Sequence, residues 1–203
     1  MAKHSSYSKI DVADIQQFGI RIIYQKHFKA TELEKVEPTD WLLLTLQKNL
    51  KRPTTTKKAK SEFIIAPILT EMNERNPEFT CFSGFNFEVD KSIGLNGRCD
   101  FLLSLYPNLF AIEAPIFAIV EAKNGDIEAG IPQCVAQQYA AQIFNAKHKK
   151  EFPFIYGAVT TGFDWRFVRL ENNVAYVDTD VYYLDDLPRI LSVLQKVVNL
   201  YKK

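Results

Sequence analysis

Apolar positions in this chain change period near residue 77. In KIDVADIQQFGIRIIYQKHF, Ile15, Phe18 and Ile22 recur at helical spacing, so helical structure is expected across residues 1 to 50. A further start follows at Pro38 and Thr39 in EPTDWLLLTLQKNL. SEFIIAPILTEMNERN predicts another helix, with Ser61 as N-cap and Phe63, Ile64, Ile68 and Met72 forming apolar faces. Pro67 lies inside it, removes a backbone donor and should kink or restart the helix. Beyond Pro77, FTCFSGFNFEVD, GRCDFLLSL and IFAIVEAK are aromatic or β-branched runs punctuated by Asn-Gly and Pro-Asn turns, which predicts three strands.

DIEAGIPQCVAQQYAAQIFNAKHKK then reads as a helix, with Pro132 near its start and Lys and His gathered at its end. FIYGAVTTG, WRFVRLEN and NVAYVDTDVYYL are expected to be three more strands, and DDLPRILSVLQKVVNLYKK a closing amphipathic helix. A helix between the third and fourth strands is a crossover connection, so part of the sheet should be parallel and covered on both faces. The expected architecture is α/β, a mixed central sheet flanked by helices. Residues 1–57 would form a helical N-terminal extension with a basic linker, and 58–203 the main domain.

Composition adds few constraints. The 203 residues are 47% hydrophobic, enough for one substantial core, and a net charge of +1 means that any polyanion-binding surface must arise from local clustering. Cys81, Cys99 and Cys134 are odd in number and lack a CxxC pair, which argues against a disulfide framework or a zinc ribbon. The N-terminal sequence has no apolar signal-peptide core, and no run approaches the roughly 18 apolar residues of a membrane span. A reducing, cytoplasmic setting without a membrane partner is the expectation. His4, His27 and His148 are not spaced for a metal site or a triad; Cys134 has no base nearby in sequence.

The chemistry concentrates in IFAIVEAKNG. Side chains alternate along a strand, so Glu121 and Lys123 share one face at the end of an apolar run, and Ala122 takes the other. The preceding strand opens with Asp100 just before FLLSL, so two carboxylates can meet at one end of the sheet. Carboxylate oxygens suit hard divalent cations, and Mg²⁺ typically takes one or two of them together with waters and phosphate oxygens. An adjacent ammonium can position a water and offset charge developing on phosphorus. A same-face ion pair at an exposed strand end is the plainer alternative, worth about 0–1 kcal/mol.

Asp100, then Glu121-Ala122-Lys123 on the next strand, then a helix carrying Gln133, resembles the PD-(D/E)XK nuclease superfamily, nearest to the nuclease domains of type I restriction enzymes and related small prokaryotic proteins. Cys99 stands where the motif's name has Pro. The resemblance spans roughly residues 61–161 and implies a restriction-endonuclease-like core. It implies Mg²⁺, replaceable by Mn²⁺, held by Asp100, Glu121 and the Ala122 carbonyl. Lys123 would lie beside the attacking water, Glu62 in an outer shell, and Gln133, or Gln137 one turn on, would orient Lys123 or a phosphate.

Nucleic acid, DNA foremost, is the expected partner, with contacts from Lys57, Lys58 and Lys60 of the Lys48–Lys60 basic run, from Arg98, from Lys147 in KHKK, and from Arg166 and Arg169. No base-reading module is visible, so low sequence specificity is expected. A non-catalytic nucleic-acid-binding or scaffolding protein of the same fold is the alternative. The near-neutral charge favours dependence on a second copy or a protein partner.

Overall fold

Strand β4, Ile116–Ala122, is buried along its whole length because helices cover both faces of the sheet that contains it. The computed structural model describes residues 6–106 and 110–202, so His4 and the predicted Pro107-Asn108 turn lie outside the described residues. Within them, eight strands form one mixed sheet: β1 Arg21–Tyr24, β2 Thr80–Ser83, β3 Phe101–Ser104, β4, β5 Phe154–Thr160, β6 Asp164–Glu171, β7 Val174–Val177 and β8 Tyr182–Tyr183. The order is β1-β7-β6-β5-β4-β3-β2, with β8 pairing β6. The β4–β5 and β1–β7 pairs are parallel and the others antiparallel.

The parallel β4–β5 pair follows from the crossover helix α5, Ile131–Lys147, as the sequence predicts. Helix α5 covers one face of the sheet, where Val135, Ala136 and Ala140 join Ile119, Ile155 and Val168 in one apolar cluster. It packs closely because Gly157 leaves room; a Cβ there would lie 2.6 Å from Cys134 Sγ and 2.9 Å from Gln138 Cδ. The other face carries α4, Ala66–Arg75, and α6, Leu187–Asn199. There Ile68, Leu69, Met72, Leu191 and Val198 share a cluster with Phe101, Phe117, Val120 and Phe167. The helix that follows Glu62 and the helix that carries Gln133 thus flank the sheet from opposite sides.

The N-terminal segment departs from the expected run of helices. Helix α1 covers only Val12–Gln17, opened by a reciprocal Asp11–Asp14 capping box and followed by Gly19 at φ +75°. The chain then extends, and RIIY forms edge strand β1 beside β7, placing Ile22 on a strand. Helical spacing of three residues did not outweigh β-branched neighbours with an open sheet edge to join. Residues 1–57 therefore supply part of the central sheet and are not solely a helical extension. The α2 prediction holds: Asp40–Asn49 begins behind Thr39, whose hydroxyl accepts from the Leu42 N–H.

Two further boundaries differ. NVAYVDTDVYYL divides into β7 and β8, because the buried Asp178 carboxylate accepts from the Asp180 N–H, Tyr182 Oη and the His27 N–H. The basic linker is helical at its end: α3, Lys57–Lys60, is capped by Thr56 in place of Ser61 and runs on through a π-helical turn, Ser61–Ile65, into α4. Pro67 lies just past that turn. Its ring nitrogen cannot bond the Phe63 carbonyl, which accepts from Asn49 Nδ2 at 2.9 Å instead. Among the described residues, no helix is long and apolar enough to cross a membrane.

Candidate metal and phosphate site at the ends of β3 and β4

The carboxylates of Asp100 and Glu121 meet where β3 begins and β4 ends. Antiparallel pairing sets Phe101 opposite Val120, so Asp100 flanks the last residues of β4. The Ala122 N–H donates to Asp100 Oδ2 at 2.8 Å, fixing the carboxylate against the strand end. Glu121 is fully buried on the α5 side, where Gln137 Nε2 donates to its Oε2 at 3.1 Å. Its other oxygen, Oε1, lies 3.4 Å from Lys57 Nζ and 3.4 Å from Lys123 Nζ. Lys57 Nζ also reaches Asp100 Oδ2 at 2.7 Å, so one ammonium bridges both carboxylates.

Lys123 shares the Glu121 face, as strand alternation requires, and donates to Gln133 Oε1 at 2.7 Å. Both glutamines belong to the first turns of α5, four residues apart and on one helix face. Gln133 is 6% exposed and Gln137 fully buried, each bound to a charged strand-end group. The Gln-rich face of this helix is therefore interior. Gln138, which the sequence does not single out, is buried too and donates to the Ile155 and Val168 carbonyls.

Burial pushes the Glu121 carboxyl up to about 7, helped by the Asp100 charge and opposed by Lys57 and Lys123. Burial pulls the Lys57 ammonium down, but Glu121 and Asp100 together outweigh it and raise its pKa. The nearby Cys134 thiol is pushed well up by burial and is not poised as a nucleophile.

These donors fit a hard divalent cation. They are two carboxylates whose facing oxygens, Asp100 Oδ2 and Glu121 Oε1, already share one positive group. Among the described residues, no three His, Cys, Asp or Glu side chains are grouped as a ligand set, so the protein's side-chain donors would be these two oxygens. Ala122, whose carbonyl the resemblance also implicates, contributes its N–H to Asp100 and buries its methyl in the α4–α6 cluster.

The other predicted residues divide. A groove beside Asp100 is lined by Lys57, Lys58, Ser61, Glu62, Ser83, Gly84 and Arg98. Glu62 lies in this groove but contacts neither carboxylate: it is half-exposed and sits 3.8 Å from Lys58. Arg98 is exposed, and its guanidinium lies against the bare Cα of Gly84. Lys60 donates to the Asn124 carbonyl and approaches the Phe163 ring at the rim.

Lys147 does not join them. It is the last residue of α5, fourteen positions from Gln133 and thus about 21 Å along the helix axis, where it approaches the Val89 carbonyl. Arg166 is largely buried, pairs with Glu128 at 3.1 Å and donates to the Asp178 carbonyl, so its charge is already committed. Arg169 likewise pairs with Glu171. Both lie on β6, where burial and acidic neighbours convert a surface-looking basic residue into a structural one.

No protein-family model matches the chain, and no curated protein matches it in sequence.

Proposed function

We propose that this protein is a Mg²⁺-dependent nuclease with a restriction-endonuclease-like core, of the PD-(D/E)XK type. The observation that carries the reading is the convergence of the Asp100 and Glu121 carboxylates on a single cationic position, with Lys123 beside Glu121 and aimed by Gln133. Asp100 and Glu121 would hold Mg²⁺ or Mn²⁺. When bound, the cation supplies an activated water and offsets negative charge on the phosphate.

The protein's own groups do the rest. Gln137 occupies Glu121 Oε2, which leaves Oε1 to face the cation position. Lys123, held by Gln133, orients the water oxygen towards phosphorus and stabilises the charge that accumulates there. Water adds to phosphorus and releases one proton to solvent, the bond to the leaving oxygen breaks, and that oxygen takes up one proton from solvent. Arg98 and Lys58 line the groove through which the phosphates would run, so binding is to the backbone, with DNA the expected substrate and little sequence preference. Glu62 lines the same groove as Asp100, where it would act on the cation only through intervening water.

One observation favours a second reading. Lys57 already bridges both carboxylates, as it would in a non-catalytic nucleic-acid-binding or scaffolding protein of the same fold. Incubation of supercoiled plasmid, linear DNA and RNA with Mg²⁺ or Mn²⁺ separates the two. Cleavage should appear in the wild type and vanish in Glu121→Ala and Lys123→Ala. Cleavage that survives Glu121→Ala places the active centre elsewhere; a wild type that neither cleaves nor binds Mn²⁺ is the non-catalytic protein.

A further inference from the structure

Lys57 occupies the position that a metal ion would need. Its Nζ lies 2.7 Å from Asp100 Oδ2 and 3.4 Å from Glu121 Oε1. Asp100 and Glu121 would hold a divalent cation through the same oxygens that the ammonium engages. A divalent and a monovalent cation cannot share that space without strong repulsion. We propose that Lys57 is an exchangeable internal counter-ion: it closes the carboxylate pair in the metal-free protein, and metal binding expels its ammonium into the adjacent groove, where it becomes a phosphate contact. The inference rests on the metal-binding reading of Asp100 and Glu121.

Three features support exchange over permanent occupancy. The Lys57 side chain is 42% exposed, whereas Glu121 is fully buried, so the ammonium reaches inward from the surface on a flexible four-carbon stem. Lys57 is the first residue of α3, just behind the exposed Thr56 cap, so its side chain leaves the helix at its solvent-facing start. The groove offers the expelled group a destination: Lys58 and Arg98 line it already, and Glu62 lies beside them. Expulsion would add one positive charge to the phosphate path as the cation arrives, coupling metal loading to strand binding in both directions.

Isothermal titration with Mn²⁺ in the absence of nucleic acid tests this on the full chain. Lys57→Met should bind Mn²⁺ about tenfold more tightly than the wild type, because no resident charge must be displaced. Lys58→Met removes the same charge one residue away, where it faces Glu62, and should leave Mn²⁺ affinity within about twofold of the wild type. Lys57→Gln serves where the Met variant does not fold, with the same expected direction. A wild type that fails to bind while Lys57→Met binds makes Lys57 a permanent occupant of the carboxylate pair and overturns the exchange. Equal affinity of the wild type and the Lys57 variants overturns the inference and leaves the metal site standing. Absence of binding in all of them overturns the inference together with the metal-binding reading on which it rests.

Discussion

The bare Cα of Gly130 lies against the aliphatic stem of Lys123. A Cβ at residue 130 would stand 2.8 Å from Lys123 Cε and 2.4 Å from Val159 Cγ1. The Gly130 backbone is ordinary, at φ −87° and ψ −17°, so the requirement for glycine is purely one of space. Gly130→Ala should therefore overpack the junction of α5 with β4 and β5, costing about 1–3 kcal/mol. It should also push the Lys123 ammonium away from Gln133. Thermal melting should show the loss, and metal-dependent cleavage measured well below the melting temperature should fall as well. Wild-type melting together with wild-type cleavage would contradict this packing.

Glu121→Gln keeps the shape of the side chain and an acceptor for Gln137 but removes the charge. The metal-free fold should stay within about 1 kcal/mol of the wild type, since the lost attraction to Lys57 and Lys123 is offset by relief of burial and of repulsion from Asp100. Mn²⁺ binding should be lost. Calorimetry and circular-dichroism melts read the two effects separately, and retained binding with wild-type affinity would remove Glu121 from the ligand set.

Two arginines that look alike in sequence should behave differently. Arg98→Ala should weaken binding to a DNA oligonucleotide and lower the slope of log affinity against log salt by about one, as loss of one phosphate contact requires. Arg166→Ala should leave that slope unchanged and destabilise the fold, because it removes the donor to the Asp178 carbonyl and the pair with Glu128 and empties a largely buried position on β6. Fluorescence anisotropy at several salt concentrations distinguishes them. An unchanged slope in Arg98→Ala would mean that phosphates do not follow this groove.

His27 makes stability depend on pH. Its ring packs against Phe28 and Tyr156, and both ring nitrogens are buried without a hydrogen-bond partner in the structure. Burial lowers its pKa to about 4, with Arg169 acting in the same direction and Asp178 opposing. The unfolded chain, at its ordinary value of 6.5, takes up the proton first. The neutral ring's contribution is thus intact above pH 6.5 and lost as pH falls towards 4, by up to about 3 kcal/mol. Urea melts across this range should show the decline, and His27→Gln should flatten it. An equal slope in the variant would assign the decline to other groups.

The sequence by itself was sufficient for the α/β class, the crossover between β4 and β5, and the pairing of Glu121 with Lys123. Each rests on a local period: alternation along IFAIVEAK, the length and proline start of α5, and apolar runs bounded by turns. The same periods place Gln133 and Gln137 on one helix face.

Tertiary structure decided what those periods leave open. RIIY became a sheet edge because β7 offered a partner, which no helical or strand period encodes. Arg166 and Lys147 stand apart from the groove beside Asp100 because neighbouring acids and the length of a helix, respectively, determine where a charge is available. Lys57 reached Asp100 and Glu121 from 43 and 64 residues away because α3 and its π turn set it over the sheet end. Gly130 mattered because a lysine stem crosses its Cα. Charges and empty spaces act through distance in three dimensions, and a chain reveals those distances only when it has folded.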